Sequence, residues 1–374
     1  MKSNLKIVLT SGGTGGHLFP LLSVAAKVKE LVGTEATVEF LFMGPSGEME
    51  AEIIGSSGVL IKKVTSGKLR RYFSFHYLID IFKIPLGVVQ ALWHLLWYMP
   101  DVVFAKGGYA SVPVVFAARL YRIPVLIHES DARPGLANRF LGSIASKICV
   151  TFDRARIHFP KSKTILTGNP INPNVLGGNA QAGRNFLRMR KEVKPVVLFL
   201  GGSQGAQVIN ERVIENLKDL LKYYQVVHQT GRLNYDWAVE GAERLGYKIE
   251  HSDYFPIAFI KDEMKDLLAL ADVVVSRAGS SSIAEIAATG KPAILVPIRR
   301  SANDHQKINA FEISREEGAV VLEEVNFRKS MLLHSLNKIS QDENFRNRLK
   351  TNISKFYQPD AADRIAKEII VLAG

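Results

Sequence analysis

The chain carries one local pattern twice, and this repetition constrains the fold more than any other feature of its 374 residues. The apolar run at residues 5–10 ends in Ser-Gly-Gly-Thr-Gly-Gly-His (residues 11–17), and the run at 196–200 ends in Gly-Gly-Ser-Gln-Gly (residues 201–205). A second pair follows, Asp-Val-Val-Phe-Ala-Lys-Gly-Gly-Tyr from Asp101 and Asp-Val-Val-Val-Ser-Arg-Ala-Gly-Ser from Asp272. A third is Ile-Pro-Val-Leu-Ile from Ile123 and Lys-Pro-Ala-Ile-Leu from Lys291. Short apolar runs without polar alternation are strands buried on both faces, and longer helical patterns between them predict parallel sheets covered on both sides. At roughly 150 residues per domain the length fits two such domains. The expected class is therefore α/β, two Rossmann-like doubly wound domains facing a central cleft.

Two prolines and three asparagines in residues 169–174 interrupt regular structure and place the linker there. The expected division is 1–170 plus about 357–374 as the N-terminal domain and 174–356 as the C-terminal one. Ile365, Ile369 and Ile370 mark a closing helix at the end of the chain. The single cysteine, Cys149, cannot make an internal bridge and reads as a small buried apolar residue in a reducing compartment. No secretory leader pattern opens the chain, so a cytoplasmic location is expected, and residues 84–100 are too short a run to span a membrane.

Glycines between a strand and a helix let the backbone approach a ligand, and the exposed helix amides favour an anion such as a diphosphate. Both common nucleotide fingerprints are missing. Leu18 stands where a dinucleotide motif needs its third glycine, and no turn is followed by Lys-Ser/Thr. The nine histidines show no His-x-x-x-His and the carboxylates no Asp-x-Asp, so neither a metal nor another cofactor is expected. A departing diphosphate would then rely on helix termini and neutral donors. Residues 279–285, with Ser280, Ser281 and Ser282 opening a helix and Glu285 placed for a sugar or ribose hydroxyl, suit that role, although serines there also serve as plain caps. His17, just past the first glycine turn, is placed to take a proton from an acceptor hydroxyl, or simply to pack on the turn or touch phosphate. His128, Glu129 and Asp131 form a second polar cluster after a strand.

The net charge of +12 is unevenly spread, since residues 1–173 hold 20 basic and 11 acidic side chains and the remainder 28 and 25. The excess is densest at 62–83, where Lys62, Lys63, Lys68, Arg70, Arg71 and Lys83 are interleaved with Tyr72, Phe73, Phe75, Tyr77 and Phe82. Leu86, Val89, Trp93 and Trp97 follow at helical spacing. This composition fits a surface lying on an anionic bilayer, a solvated loop before an ordinary core helix, or a grip on a nucleic acid backbone.

Seven motifs occur in order along nearly the whole chain: residues 11–20, 106–111, 128–138, 168–170 and 201–206, Arg-Ala-Gly with Glu285, and Asn-Asp-His-Gln at 303–306. Together they resemble the bacterial undecaprenyl-diphospho-muramoylpentapeptide N-acetylglucosaminyltransferases, a family-28 group of GT-B glycosyltransferases that convert lipid I to lipid II in peptidoglycan synthesis. The resemblance implies an inverting transfer of N-acetylglucosamine to the N-acetylmuramoyl 4-hydroxyl, with UDP-N-acetylglucosamine on the C-terminal domain and lipid I on the N-terminal one. It further implies a peripheral position on the cytoplasmic side of the cell membrane, no cofactor, no nucleic acid, and cell-wall synthesis or division proteins as candidate partners.

Carried onto this sequence, the resemblance implies that Thr14, Gly15 and Gly16 line the sugar and phosphate, with His17 as base or acceptor-phosphate contact. It puts Ser203 on the donor diphosphate, the Ile260 backbone on uracil, Ser280 to Ser282 with Ile283 and Ala284 near the diphosphate and uridine, Glu285 on ribose, and Gln306 on the sugar hydroxyls. Gly107, Gly108, Tyr109 and Asn138 belong to acceptor motifs, and Lys68, Arg70, Arg71, Phe73, Phe75, Trp93 and Trp97 to the membrane side. Two positions depart from the family pattern. Asp131 replaces a common asparagine and becomes, with His17 and Glu129, a candidate catalytic base near the donor. Asn172 replaces a common arginine, keeping a hydrogen-bonding group for the donor but losing the charge. A transferase acting on another membrane glycolipid and an inactive UDP-sugar or lipid scaffold are the alternatives, while the segment expected of an epimerase after the strand at 124–127 is missing, with His128-Glu-Ser standing there instead.

Overall fold

A computed structural model describes residues 2–12, 15–45, 47, 52, 54–55, 57–67, 75–189, 194–202, 205–299 and 301–374, with the backbone alone at 15, 75–82 and 302. The chain forms two compact units, Met1–Ile171 with Gln358–Gly374, and Asn172–Tyr357.

In the first unit β1 (Asn4–Thr10), β2 (Thr37–Gly44), β3 (Leu60–Lys63), β4 (Val102–Ala105), β5 (Val125–Glu129), β6 (Lys147–Val150) and β7 (Thr164–Leu166) build a parallel sheet in the order β3-β2-β1-β4-β5-β6-β7. The side chains show why these runs lack alternation. Ile7, Leu9, Phe40, Phe42, Val102, Phe104, Leu126 and Cys149 pack on one face with the helix Gly15–Val32. Their neighbours Val8, Leu41, Met43, Val103, Ala105, Val125, Ile127, Ile148 and Val150 pack on the other, against the helices Phe75–Tyr98, Val112–Leu120 and Leu136–Ile144. Successive strand residues point to opposite faces, so a strand covered twice must be apolar throughout. Cys149 is fully buried and burial pushes its thiol up to about 12, so it acts as a small apolar side chain.

The closing helix, Ala361–Ala373, returns to this first unit. Its Ile365, Ala366 and Ile369 are fully buried beside Leu18, Leu21 and Val28 of the first helix. Each isoleucine removed from water contributes about 1.5–3 kcal/mol, enough to tie a segment nearly 200 positions away in sequence back to its sheet.

In the second unit β8 (Val196–Leu200), β9 (Gln225–Gln229), β10 (Tyr254–Ile257), β11 (Val273–Ser276), β12 (Ala293–Leu295) and β13 (Val320–Val321) run parallel in the order β10-β9-β8-β11-β12-β13. Each sheet reverses its direction of growth once, between β1 and β4 in the first and between β8 and β11 in the second. Ligands of open α/β sheets bind beyond the strand ends at such a switch point, and the four glycine-containing turns after β1, β4, β8 and β11 lie there. Among the described residues no helix is long and apolar enough to cross a membrane.

Candidate active site

In the N-terminal unit the turns after β1 and β4 are laced together. Lys106 N–H donates to the Thr10 carbonyl at 2.9 Å, and Gly12 N–H to the Gly107 carbonyl at 2.9 Å. Gly107 has φ +94°, and a Cβ there would fall 2.4 Å from Asn138 Nδ2, so only glycine fits. His17 is the third residue of the helix Gly15–Val32 and is half-buried; a Cβ on Gly12 would lie 3.8 Å from its Cδ2. The imidazole thus sits over the interlaced turns, with one edge open to solvent.

Beneath the turns lies a polar cluster that the sequence reading took only in part. Lys106 is 1% exposed, with Nζ 2.6 Å from His128 Nδ1 and donating to Asn169 Oδ1 at 2.7 Å. The other ring nitrogen, Nε2, is 2.9 Å from the Gly168 carbonyl. A carbonyl only accepts, so Nε2 carries the proton and Nδ1 accepts from Lys106. Burial, then the Lys106 charge, holds His128 well below the usual imidazole range and therefore neutral. Burial also pushes Lys106 down to about 7, against the pull of Glu129 and Asp131. The signal for Lys106 was present in the sequence as a lysine directly abutting an apolar strand, a position where a charge needs buried partners.

Glu129 ends β5 and is 4% exposed. Its Oε1 accepts from Asp131 N–H at 2.9 Å, and Oε2 from Asn138 Nδ2 at 2.9 Å and Gly135 N–H at 3.2 Å. Burial and then the Asp131 charge raise it to about 7. With both oxygens committed inside the loop, its geometry is that of a hub and not of an exposed proton acceptor. Asn138, 4% exposed, likewise props this loop. Asp131 and Tyr109 are half-buried at the strand ends.

The C-terminal unit presents a second set. The helix Ser280–Thr289 follows β11 and starts from Gly279, which has no side chain to cap its first amides. Ser280 is 9% exposed, Ser281 and Ser282 are half-buried, and Ile283 and Ala284 pack inward. A helix N-terminus of this kind favours an anion. Glu285 lies one turn in, where desolvation pushes its carboxyl up to about 7. Arg277, just after β11, donates to Glu324 Oε1 at 2.7 Å and to the Val296 carbonyl at 3.1 Å, fastening the turn to the strand-end loop of β12. Gln306 opens the helix His305–Arg315, and its Oε1 accepts from Ile298 N–H at 3.2 Å. Before it, Asn303 and Asp304 hold positive φ of 56° and 54°, local strain of the sort that gathers at ligand sites. Ile260 follows β10 with its side chain 4% exposed. Asn172 caps a short turn, its Oδ1 accepting from Asn174 N–H at 3.0 Å.

Of the remaining expectations, Thr14, Ser203, Lys68, Arg70, Arg71 and Phe73 lie outside the described residues, and Gly15 and Phe75 are placed by backbone alone. The helical stripe after them is exposed: Leu86 51%, Val89 63%, Trp93 59% and Trp97 70%, with the two indoles edge-to-face at 5.7 Å. The opposite face, Ala91 and Leu95, is the buried one. Lys62 and Lys63 of β3 are exposed beside His94 of this helix, whose imidazole is held down by burial and then by Lys62. Among the described residues no group of three or more His, Cys, Asp or Glu gathers to hold a metal ion.

Models of the glycosyltransferase family 28 N-terminal and C-terminal domains match residues 7–150 and 196–365. The chain belongs to glycosyltransferase family 28. A Bacillus cereus (strain ATCC 10987 / NRS 248) relative, UDP-N-acetylglucosamine--N-acetylmuramyl-(pentapeptide) pyrophosphoryl-undecaprenol N-acetylglucosamine transferase 2, is 38% identical over 365 residues, 97% of this chain and 99% of that protein. The crystal structure of Acinetobacter baumannii MurG superposes with a TM-score of 0.74 at 24% identity, covering 98% of this chain and 99% of that one. A UDP-GlcNAc 2-epimerase from Neisseria meningitidis bound to UDP-GlcNAc reaches 0.70 at only 13% identity, covering 98% and 100%. Both superpositions establish the GT-B fold of this family-28 glycosyltransferase, and fold by itself does not separate transferase from epimerase.

Proposed function

We infer that this chain transfers N-acetylglucosamine from UDP-N-acetylglucosamine to the 4-hydroxyl of N-acetylmuramoyl-(pentapeptide)-diphosphoundecaprenol, with inversion at the anomeric carbon, making lipid II for the cell wall. The carrying observation is 38% identity, end to end, with a relative bearing that name. In this reading the acceptor hydroxyl loses its proton to His17 or Asp131 while its oxygen attacks the anomeric carbon. The bond from that carbon to the diphosphate breaks, and UDP leaves with the electron pair. The departing charge falls to the helix N-terminus and hydroxyls of Ser280 to Ser282, to Ser203 and to the turn at Thr14, Gly15 and Gly16. Glu285 takes the ribose, the Ile260 backbone the uracil, and Gln306 the sugar hydroxyls. Asn172 spends its carbonyl on capping, which leaves its amide N–H groups for a donor oxygen. Gly107, Gly108, Tyr109 and Asn138 shape the acceptor side of the N-terminal unit, the C-terminal unit being the donor side.

The enzyme would rest on the cytoplasmic face of the membrane through the exposed Leu86–Val89–Trp93–Trp97 stripe, the lysines beside it and the preceding basic segment, where anionic headgroups meet cations and indoles enter the interface. Cell-wall synthesis or division proteins would be its neighbours there.

The test is transfer of labelled sugar from UDP-N-acetylglucosamine to a short-chain lipid I analogue, with UDP-glucose, UDP-galactose and EDTA in parallel reactions. Selective transfer is expected. Bound UDP without transfer would instead favour another glycolipid acceptor or an inactive scaffold. A pH signature accompanies donor binding. Because Glu285 is raised to about 7, it is protonated below that pH, and only the carboxylate accepts from two ribose hydroxyls. Donor KM is expected to rise as pH falls through about 7 and to lose that dependence in Glu285→Gln; an unchanged slope in the variant would remove Glu285 from the ribose site.

A further inference from the structure

We propose that Asn210 is a positioning residue for donor binding: aligned by Tyr254 through His228, it holds the Thr230 backbone, and with it the glycine turn at 201–205 and the end of β10. The inference rests on the functional reading above, which puts the donor diphosphate at that turn and the uracil just past β10. Asn210 lies on the helix Gln207–Glu215 that follows the turn, His228 near the end of β9, Thr230 just beyond it, and Tyr254 at the start of β10. Each of the four is 0% exposed. None can touch a substrate, so whatever they do for the reaction passes through the backbone they hold.

The direction of every hydrogen bond follows from one group. Asn210 Nδ2 donates to the Thr230 carbonyl at 2.8 Å. A carbonyl only accepts, so the amide nitrogen must face it, which turns Asn210 Oδ1 to His228 Nε2, 2.9 Å away. Nε2 therefore carries the ring proton, and the bare Nδ1 accepts from the Tyr254 hydroxyl at 2.9 Å. Burial holds this imidazole down to about 3, so the ring stays neutral and keeps a single tautomer. Thr230 N–H in turn donates to the carbonyl of Ile257 at 2.9 Å, the last residue of β10 and three before Ile260. Donors thus point one way from Tyr254 to Ile257, an alignment in which each bond polarises the next. The glycine turn rests on the same carbonyl. Gly205 has φ +78°, and a Cβ there would fall 2.2 Å from the Thr230 oxygen, while its N–H closes the turn onto the Gly202 carbonyl at 3.1 Å. A displaced Thr230 carbonyl would press on the turn or open a gap beneath it, and the end of β10 would move with it.

The test starts from Asn210→Asp, which keeps size and shape but sets a carboxylate oxygen against the Thr230 carbonyl; each variant is checked for folding by its thermal transition. UDP affinity, read by calorimetry, is expected to fall about 10- to 100-fold, the scale of a buried acceptor stripped of its donor. KM for a lipid I analogue at saturating UDP-N-acetylglucosamine is expected to stay within about twofold. His228→Leu should lose about tenfold in UDP affinity, and His228→Gln, whose amide can donate where Nε2–H did, should recover to within about threefold of the parent. This pair decides the matter should Asn210→Asp not fold. Nitrogen NMR of the parent, with the His228 signals identified as those missing in His228→Gln, should show Nε2 protonated and Nδ1 bare from about pH 5 to about pH 8. An unmoved UDP affinity in folded Asn210→Asp, a parallel rise in the lipid I KM, a His228→Gln no better than His228→Leu, or the opposite tautomer would each overturn the proposal. A parent that binds no UDP would refute the functional reading itself, whereas a parent that binds and transfers while Asn210→Asp binds equally well would overturn only the positioning role.

Discussion

His17→Ala is expected to lower kcat by about 100- to 10,000-fold, the usual worth of a positioned general base, while KM for UDP-N-acetylglucosamine stays within about twofold. The expectation comes from where the ring sits. It lies over the laced turns after β1 and β4, half-exposed at the mouth of the switch point, in the unit that carries the proposed acceptor motifs. Removing a group used only while the acceptor oxygen attacks lowers turnover and spares donor binding. Asp131→Asn is the necessary comparison, because Asp131 is the other half-buried carboxylate or imidazole at this strand edge and its amide cannot take a proton. If His17→Ala instead raises the KM for lipid I in full proportion to its loss, it is a phosphate contact, and Asp131 becomes the base.

Trp93→Ser with Trp97→Ser is expected to weaken partitioning onto vesicles containing anionic lipid by about 30- to 1000-fold, from about 2–4 kcal/mol of apolar transfer lost between the two indoles. Both rings are more than half exposed and stack edge-to-face, so in water they leave a contiguous apolar patch along the helix. The buried face of that helix, Ala91 and Leu95, is untouched, so the thermal transition should hardly move. Raising the salt should weaken binding of the parent by screening Lys62, Lys63 and the basic segment that follows, and it should do so equally in the double variant. Vesicle binding that ignores the two substitutions would put the membrane face elsewhere on the molecule.

Much of the architecture was legible in the sequence. Unbroken apolar runs ending in glycine turns mean doubly covered parallel strands, and this rule holds locally, within five to ten residues, whatever the rest of the chain does. The closing helix could be read the same way, from Ile365, Ile369 and Ile370. Which motifs belong together was also legible, because switch-point turns recur in order along the chain. The fate of individual side chains was not. Glu129 stands in the sequence as a candidate base, yet three loop donors occupy its oxygens; Asn172 stands as a donor ligand, and the fold shows its carbonyl capping a turn, which leaves only its amide N–H groups for that part. The stripe from Leu86 to Trp97 has helical spacing that suits a core or a surface equally, and only packing against the helix Val112–Leu120 leaves the indoles outside.

The sequence by itself determined the two sheets, their glycine turns and the family, since each depends on short-range pattern. Tertiary structure alone decided that Lys106 is buried against His128, 22 residues on, and Asn169, 63 residues on. Such partners are brought together by the order of strands in the sheet, which no local period encodes, and it is their approach in a water-free interior that decides whether a lysine stays solvated or is held in a buried hydrogen-bonded cluster.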